Sequence, residues 1–413
     1  MVNAETDRLE QESKISRHDG GCFYCGSQGQ FTVEHVVCAG LGGDDRAWVL
    51  KDCVCGTCNT DIFSKLETKF LRGSPVALAR LFLQPWTRDK TSVPSVQPKA
   101  SYVAEPTTGV LLEAELGAGG SSVILPQLVI VDAQQAAVTG PDAASVAAFL
   151  LDLQKALSDE VTLIEKTKQG FEFIYETTPL SWKDGGYAVG ESGTTSHAPK
   201  AGIWIEPLIR PVTAQDGAPL LPRIFRRPAG QLVCRVDVAE HAGLFLTVLR
   251  NAPELMDASK VGSAGTTEGK PGFHQRYNMD MAAYDRVLTK IGLNLVAKLL
   301  GLDLIRKPAF DAAVDYARNG VGGISKLSPA CLLPLTNMLG SALPDRHVLT
   351  LLSVPRPNGG HALVFMARFY GGLADAVLLA EFEAPISGLE KPILLLVDYV
   401  HNKIERPTLE DAV

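Results

Sequence analysis

The stretch CFYCGSQGQFTVEHVVCAGLGG, Cys22 to Gly43, decides how the N-terminal part of this 413-residue chain is read. Cys22 and Cys25 form a Cys-x-x-Cys pair, and Glu34 and His35 follow before a glycine-rich turn. A second pair, Cys55-x-x-Cys58, comes about thirty residues after the first. Two such pairs supply four thiolates, the number tetrahedral zinc accepts, and a closed four-sulfur site leaves no open position, so this zinc is read as structural. A unit of some fifty residues has a small core of its own and needs such a staple. Cys53 competes with Cys55 for the second knuckle, but only Cys55 completes a Cys-x-x-Cys with Cys58. Cys38 has the wrong spacing and reads as a buried thiol.

The rest of the composition is that of an ordinary globular chain, with 46 % hydrophobic and 21 % charged residues. A formal charge of -7 excludes a protein coated in cations, so any nucleic-acid contact must come from a local patch. The first residues are polar and mixed in charge, without an apolar signal region, and no apolar run reaches membrane-spanning length. The expectation is a cytoplasmic protein with no membrane partner. Six of the eight cysteines lie between Cys22 and Cys58, which in a reducing compartment points to metal before disulfides.

Along the chain, residues 1–19 read as a flexible arm and 20–73 as the cysteine-rich unit. FTVEHVV reads as a short strand and GLGGDDR as a loop. CNTDIFSKLETKFLRG reads as a helix with Ile62, Phe63, Leu66 and Phe70 on one stripe, ended by Gly73 and Pro75. Residues 74–100 combine a basic apolar segment with a Pro/Ser-rich linker, placing a domain boundary between about 73 and 100. Residues 101–413 read as a larger mixed α/β region of one or two subdomains. Within it VLLEAEL, SSVILPQLVIVD, VTLIEKT and FEFIYE suggest strands, and SWKDGGYAVGESGTTSHAPKAG suggests a long loop. PDAASVAAFLLDLQKALSD, AYDRVLTKIGLNLVAKLLG and PAFDAAVDYARNG suggest helices, and His347 to Ile404 three or four strands. The fold class expected is α+β.

The order Cys-x-x-Cys, Glu34-His35, an apolar pair, Gly-Gly, then Cys-x-x-Cys-Asn59 resembles the zinc-containing HNH nucleases. The resemblance covers residues 22–72, about an eighth of the chain. It implies a treble-clef-like ββα-metal unit around one catalytic cation. Hydrolysis of a phosphodiester needs an activated water and a cation against the developing charge. By resemblance His35 is the general base, and Glu34 and Asn59 ligate Mg²⁺ or Mn²⁺ through oxygen. Neighbours on a strand face opposite ways, so Glu34 and His35 converge only if the strand ends or bends between them. Many family members carry an Asn nine residues before the helix Asn, orienting the base through the loop backbone. Here that position is Leu50, with Asp52, Asp45 and Arg46 nearby as alternative polar groups. Asn59 is also read, without the family, as a helix-start residue satisfying unpaired N–H groups.

Lys65, Lys69, Arg72 and Arg80 form a positive stretch beside the proposed site, readable either as a phosphate track or as a solvated helix face. RIFRR, Arg223 to Arg227, is a second, smaller basic cluster. GTTEGKPG, Gly265 to Gly272, lacks the order of a P-loop and reads as a loop. The functional expectation is a metal-dependent HNH endonuclease acting on nucleic acid, DNA favoured. The larger region would target it, sense a small-molecule or nucleotide activator as bacterial defence effectors do, or form a homo-oligomer. The alternative is a non-catalytic zinc module that docks nucleic acid or protein.

Overall fold

The computed structural model describes residues 17–88, 90, 94, 100–106, 108–116, 120–131, 136–169, 172–209, 220–257, 272–277, 279–338 and 343–407. The N-terminal arm to residue 16, most of the Pro/Ser-rich linker and residues 265–271 of GTTEGKPG lie outside them. The chain is a mixed α and β protein of two compact units. The first comprises Met1–Gln97, Ala118–Gly120 and Asn278–Val413; the second comprises Pro98–Gly117 and Ser121–Tyr277. The stretch 101–413 is divided between them, and Asn278–Val413 joins the cysteine-rich segment in the first unit.

In the first unit the two-residue strands Glu34–His35 and Val49–Leu50 pair antiparallel, with His35 opposite Val49. The knuckle helix begins at Cys55-x-x-Cys58. It is wound as a π-helix over Thr57–Phe63 and as an α-helix over Ser64–Gly73. Ser74 caps the next helix, Pro75–Leu83, by accepting from Val76 N–H, and Pro75 occupies its first turn, where a missing N–H costs nothing. The long helix Met281–Leu299 runs through the middle of the unit and is buried on almost every side. Asp280 caps it, accepting from Ala283 N–H at 2.9 Å. A five-stranded antiparallel sheet packs against it, in the order Ala374–Phe382, His361–Arg368, His347–Pro355, Ile393–Asp398, Lys403–Glu405. One hydrophobic core joins Phe23, Val37, Phe63 and Phe70 of the knuckle segment to Val287, Ile291 and Leu295 of the helix and Leu349, Phe365 and Leu395 of the sheet. The knuckle segment therefore does not rely on metal alone for a core; it shares one with the C-terminal 130-odd residues.

The second unit is built on a nine-stranded sheet. Its path runs Gly186–Val189, Glu172–Lys183, Glu160–Gln169, Ile203–Pro207, Leu232–Val236, Arg223–Arg226, Gln127–Ile130, Ala136–Thr139. Gly193–Thr195 pairs with Glu172–Lys183 off this path. Ile203–Pro207 lies parallel to both its neighbours. Helices Ala143–Ala156 and His241–Asn251 contribute Phe149, Leu153, Phe245 and Leu249 to its core. A four-stranded sheet orders Gly272–Arg276, Ala100–Ala104, Leu111–Leu116 and Ser122–Ile124.

The stretch read as a long loop, Ser181 to Gly202, includes strand at its start, at Gly186–Val189 and at Gly193–Thr195. Lys183 pairs with Gly186 across a two-residue turn in which Asp184 and Gly185 both have positive φ, 50° and 82°. That Asp-Gly geometry closes a tight hairpin, because its twist matches the flanking strands. RIFRR is no solvated basic cluster either. Arg223 is fully buried, Arg226 pairs with Asp152 at 3.1 Å, and Arg227 pairs with Glu206 at 2.8 Å. Among the described residues no helix is long and apolar enough to cross a membrane.

Candidate metal centre and the hairpin beside it

The first knuckle turns at Gly26, where φ is +76°. Cys25 N–H and Gly26 N–H both donate to the Cys22 carbonyl, at 3.2 and 2.7 Å. Phe23 N–H donates to the Cys53 carbonyl at 3.1 Å and ties this knuckle to the second, which the helix start holds through Asn59 N–H to Cys55 O at 3.0 Å. As a result the sulfurs of Cys22, Cys25, Cys55 and Cys58 all lie within 4.8 Å of one another. Four thiols so placed can hold a zinc ion. Hydrogen bonds from Cys22 and then Cys58 hold Cys25 down to about 3, the thiolate form that binds metal. Arg318, on Asp311–Asn319, donates from Nε to Cys58 Sγ at 3.4 Å, where its charge would offset that of four thiolates around a zinc ion. Cys53 stays outside the cluster, a buried thiol pushed up to about 11 chiefly by desolvation, and burial likewise raises Cys38.

The glycine-rich turn is shaped by close approach. Gly42 has φ +86°, and a Cβ there would lie 2.4 Å from Tyr399 Cα; one on Gly43 would lie 2.2 Å from the Val37 carbonyl. Asp44 then folds the loop back, accepting from Arg46 N–H at 2.7 Å and Ala47 N–H at 2.9 Å. This brings Asp45 to His35, with Nε2 2.6 Å from Asp45 Oδ1. Arg88 pairs with the other oxygen of Asp45. His35, and next Arg88, hold the Asp45 carboxyl below its usual range. An ionised carboxylate only accepts, so Nε2 donates to it, and in the neutral form of the ring this leaves the lone pair on Nδ1.

Glu34 goes the other way. The strand does not bend between the two residues: His35 faces outward and Glu34 is 2 % exposed. The Glu34 carboxylate is ion-paired with the ammonium of Lys290, which also pairs with Glu67. It accepts from Asn294 Nδ2 at 3.2 Å as well. Burial raises the Glu34 pKa against the pull of Lys290, as expected where one ammonium serves two carboxylates. Burial alone would lower Lys290; Glu67 and Glu34 outweigh it and hold Lys290 charged. Asn59 donates from Nδ2 to Thr32 Oγ1 at 3.0 Å and to the Val33 carbonyl at 2.9 Å, stitching the helix start to the strand. Of the pair expected for Mg²⁺ or Mn²⁺, Glu34 has its carboxylate turned inside onto Lys290, while Asn59 engages the strand through Nδ2, the amide nitrogen and not the oxygen a cation would take.

Lys65, Lys69 and Arg72 are exposed on the knuckle helix, whereas Arg80 is buried, donating from Nε to Gln84 Oε1 at 3.2 Å. The positive stretch therefore lacks its fourth member at the surface. No family of known proteins, curated protein or solved structure matches the chain.

Sequence reasoning assigned Asp45 only a generic polar role and passed over Lys290, Asn294 and Tyr24. A signal for two of them existed. Lys290 and Asn294 stand four apart in a helix otherwise apolar around them, a spacing that puts two buried polar groups on one face.

Proposed function

We propose that the first unit is an HNH-type endonuclease that hydrolyses phosphodiester bonds in nucleic acid, DNA favoured, with His35 as general base. The observation that carries this reading is the His35–Asp45 pair at 2.6 Å, on the outward face of a hairpin set beside the four-cysteine cluster. Asp45 fixes the tautomer, and Nδ1 takes a proton from an attacking water. The zinc supplies rigidity to the two knuckles. The divalent cation that the resemblance brings would neutralise charge on the phosphate. Lys65, Lys69 and Arg72 would follow the backbone of the substrate. Targeting, response to a small-molecule or nucleotide activator, and homo-oligomerisation are assigned to the rest of the chain.

A second reading is favoured by one specific observation, the burial of Glu34 against Lys290. A hairpin whose carboxylate serves the core suits a zinc module that docks nucleic acid or protein without cutting it. Labelled duplex DNA and RNA of the same sequence, incubated with zinc-loaded protein and Mg²⁺ or Mn²⁺, separate the two. Metal-dependent product supports the nuclease; binding without product under every condition supports the docking module.

A further inference from the structure

The strands that carry His35 are two residues long on each side, too short to fix a backbone by pairing alone. The hairpin is held instead by one face of the helix Met281–Leu299. Lys290, Asn294 and Lys298 recur every four residues on that face. Lys290 takes the Glu34 carboxylate, and Lys298 Nζ donates to the Val49 carbonyl at 3.2 Å. Between them Asn294 Nδ2 donates to the backbone carbonyl of His35 at 3.0 Å. The amide cannot flip, because a flip would turn Oδ1 onto the His35 carbonyl and the Glu34 carboxylate, both acceptors; Oδ1 instead accepts from the Tyr24 hydroxyl at 2.8 Å. Tyr24 lies between the two thiols of the first knuckle, its ring 4.5 Å from that of Phe63. Asn294 is fully buried, and Tyr24, Lys290 and Glu34 around it are buried with it, each with a partner.

We propose that Asn294 is a positioning residue for His35, acting through the His35 carbonyl and itself aligned by Tyr24. The inference rests on the reading of His35 as general base. It supplies, from a helix 259 residues further along the chain, the backbone support that Leu50 cannot give. Without the amide, the His35 carbonyl is left unpaired in the core and the two-residue strand is free to rotate about it. The imidazole then swings relative to Asp45 and to the water it must deprotonate.

The test uses the full chain, zinc-loaded, as Asn294→Ala and Tyr24→Phe beside wild type and His35→Ala. Tyr24→Phe keeps the packed ring and loses only the hydroxyl, so it remains informative if Asn294→Ala folds poorly. On duplex DNA with Mg²⁺ or Mn²⁺, Asn294→Ala is expected to lower kcat about ten- to a hundredfold, as loss of a supporting residue does. KM should stay within about twofold, since substrate contacts are untouched. Tyr24→Phe should give a smaller loss of the same kind, with zinc content unchanged in both. The ¹⁵N signals of the His35 ring should shift or broaden in both variants. Wild-type kcat in both variants, with His35→Ala inactive, overturns the proposal. If wild-type protein does not cut, the nuclease reading fails separately and the ring signals decide: unchanged signals in both variants overturn the positioning role, and altered signals at full zinc content sustain it.

Discussion

Lys290 pairs with Glu34 in the interior of the first unit, with the lysine 1 % and the glutamate 3 % exposed at their side chains. Glu67, partly exposed, shares the same ammonium. Three charges so placed are stable only as a set, because each alone would be stranded in a medium of low dielectric. Lys290→Met removes the cation between them and leaves two carboxylates facing each other. The expected cost is about 3–5 kcal/mol in urea unfolding. Adding Glu34→Gln should restore part of it, because the remaining carboxylate is the one with access to water. Equal loss in the single and double variants would show that the lysine matters only through its packing.

Zinc content tests the four-cysteine cluster. Purified protein should carry about one zinc per chain, and Cys58→Ser should fall well below that. The unit should loosen rather than unfold completely on chelation, since Phe23 and Phe63 belong to the core shared with Val287 and Ile291. Protease digestion with and without chelator would show this as new cuts confined to residues 20–73. Full stoichiometry in Cys58→Ser would remove the cluster from the metal site.

His347 gives a pH dependence with a definite sign. Burial pushes its pKa from 6.5 down to about 3, and its Nδ1 accepts from Tyr370 N–H at 3.1 Å, a bond only the neutral ring can make. Its folded pKa is depressed, so the unfolded chain takes up this proton first as the pH falls. The stability tied to the neutral ring is therefore whole above about 6.5 and is lost progressively toward about 3, at roughly 1.4 kcal/mol per pH unit inside that window. Urea unfolding at pH 7 and pH 4 should show a steeper loss in wild type than in His347→Gln, which keeps an acceptor without a titration. Parallel losses in the two proteins would assign the acid sensitivity to the carboxylates instead.

Gly42→Ala tests the turn that presents Asp45. The new Cβ would fall 2.4 Å from Tyr399 Cα in a residue already at φ +86°. Backbone must move, and the positive φ alone costs on the order of 1–3 kcal/mol. Thermal unfolding should occur lower than in wild type, with zinc content retained. An unchanged midpoint would mean the turn is looser than its contacts indicate.

Much of this was legible in the residues. The Cys-x-x-Cys spacing named the four clustered thiols and ranked Cys55 over Cys53, because a knuckle is a local motif. AYDRVLTKIGLNLVAKLLG marked the central helix and PAFDAAVDYARNG the helix Asp311–Asn319, because these patterns too are local. What failed was non-local. Nothing in residues 20–73 reveals that Lys290 waits for Glu34, so the carboxylate looked available for a cation. Arg80 counted in a basic stretch and Arg223 in a basic cluster because charge is usually outside; tertiary packing buried them instead. The Asp184-Gly185 turn was readable, but the surrounding glycines and serines masked its hairpin.

The most direct measurement is cleavage of supercoiled plasmid by zinc-loaded protein with Mg²⁺ or Mn²⁺, wild type beside His35→Ala. The prediction is nicked or linear product from wild type and none from His35→Ala, at equal zinc content and equal circular dichroism. Equal cutting by the two proteins would contradict the role given to His35.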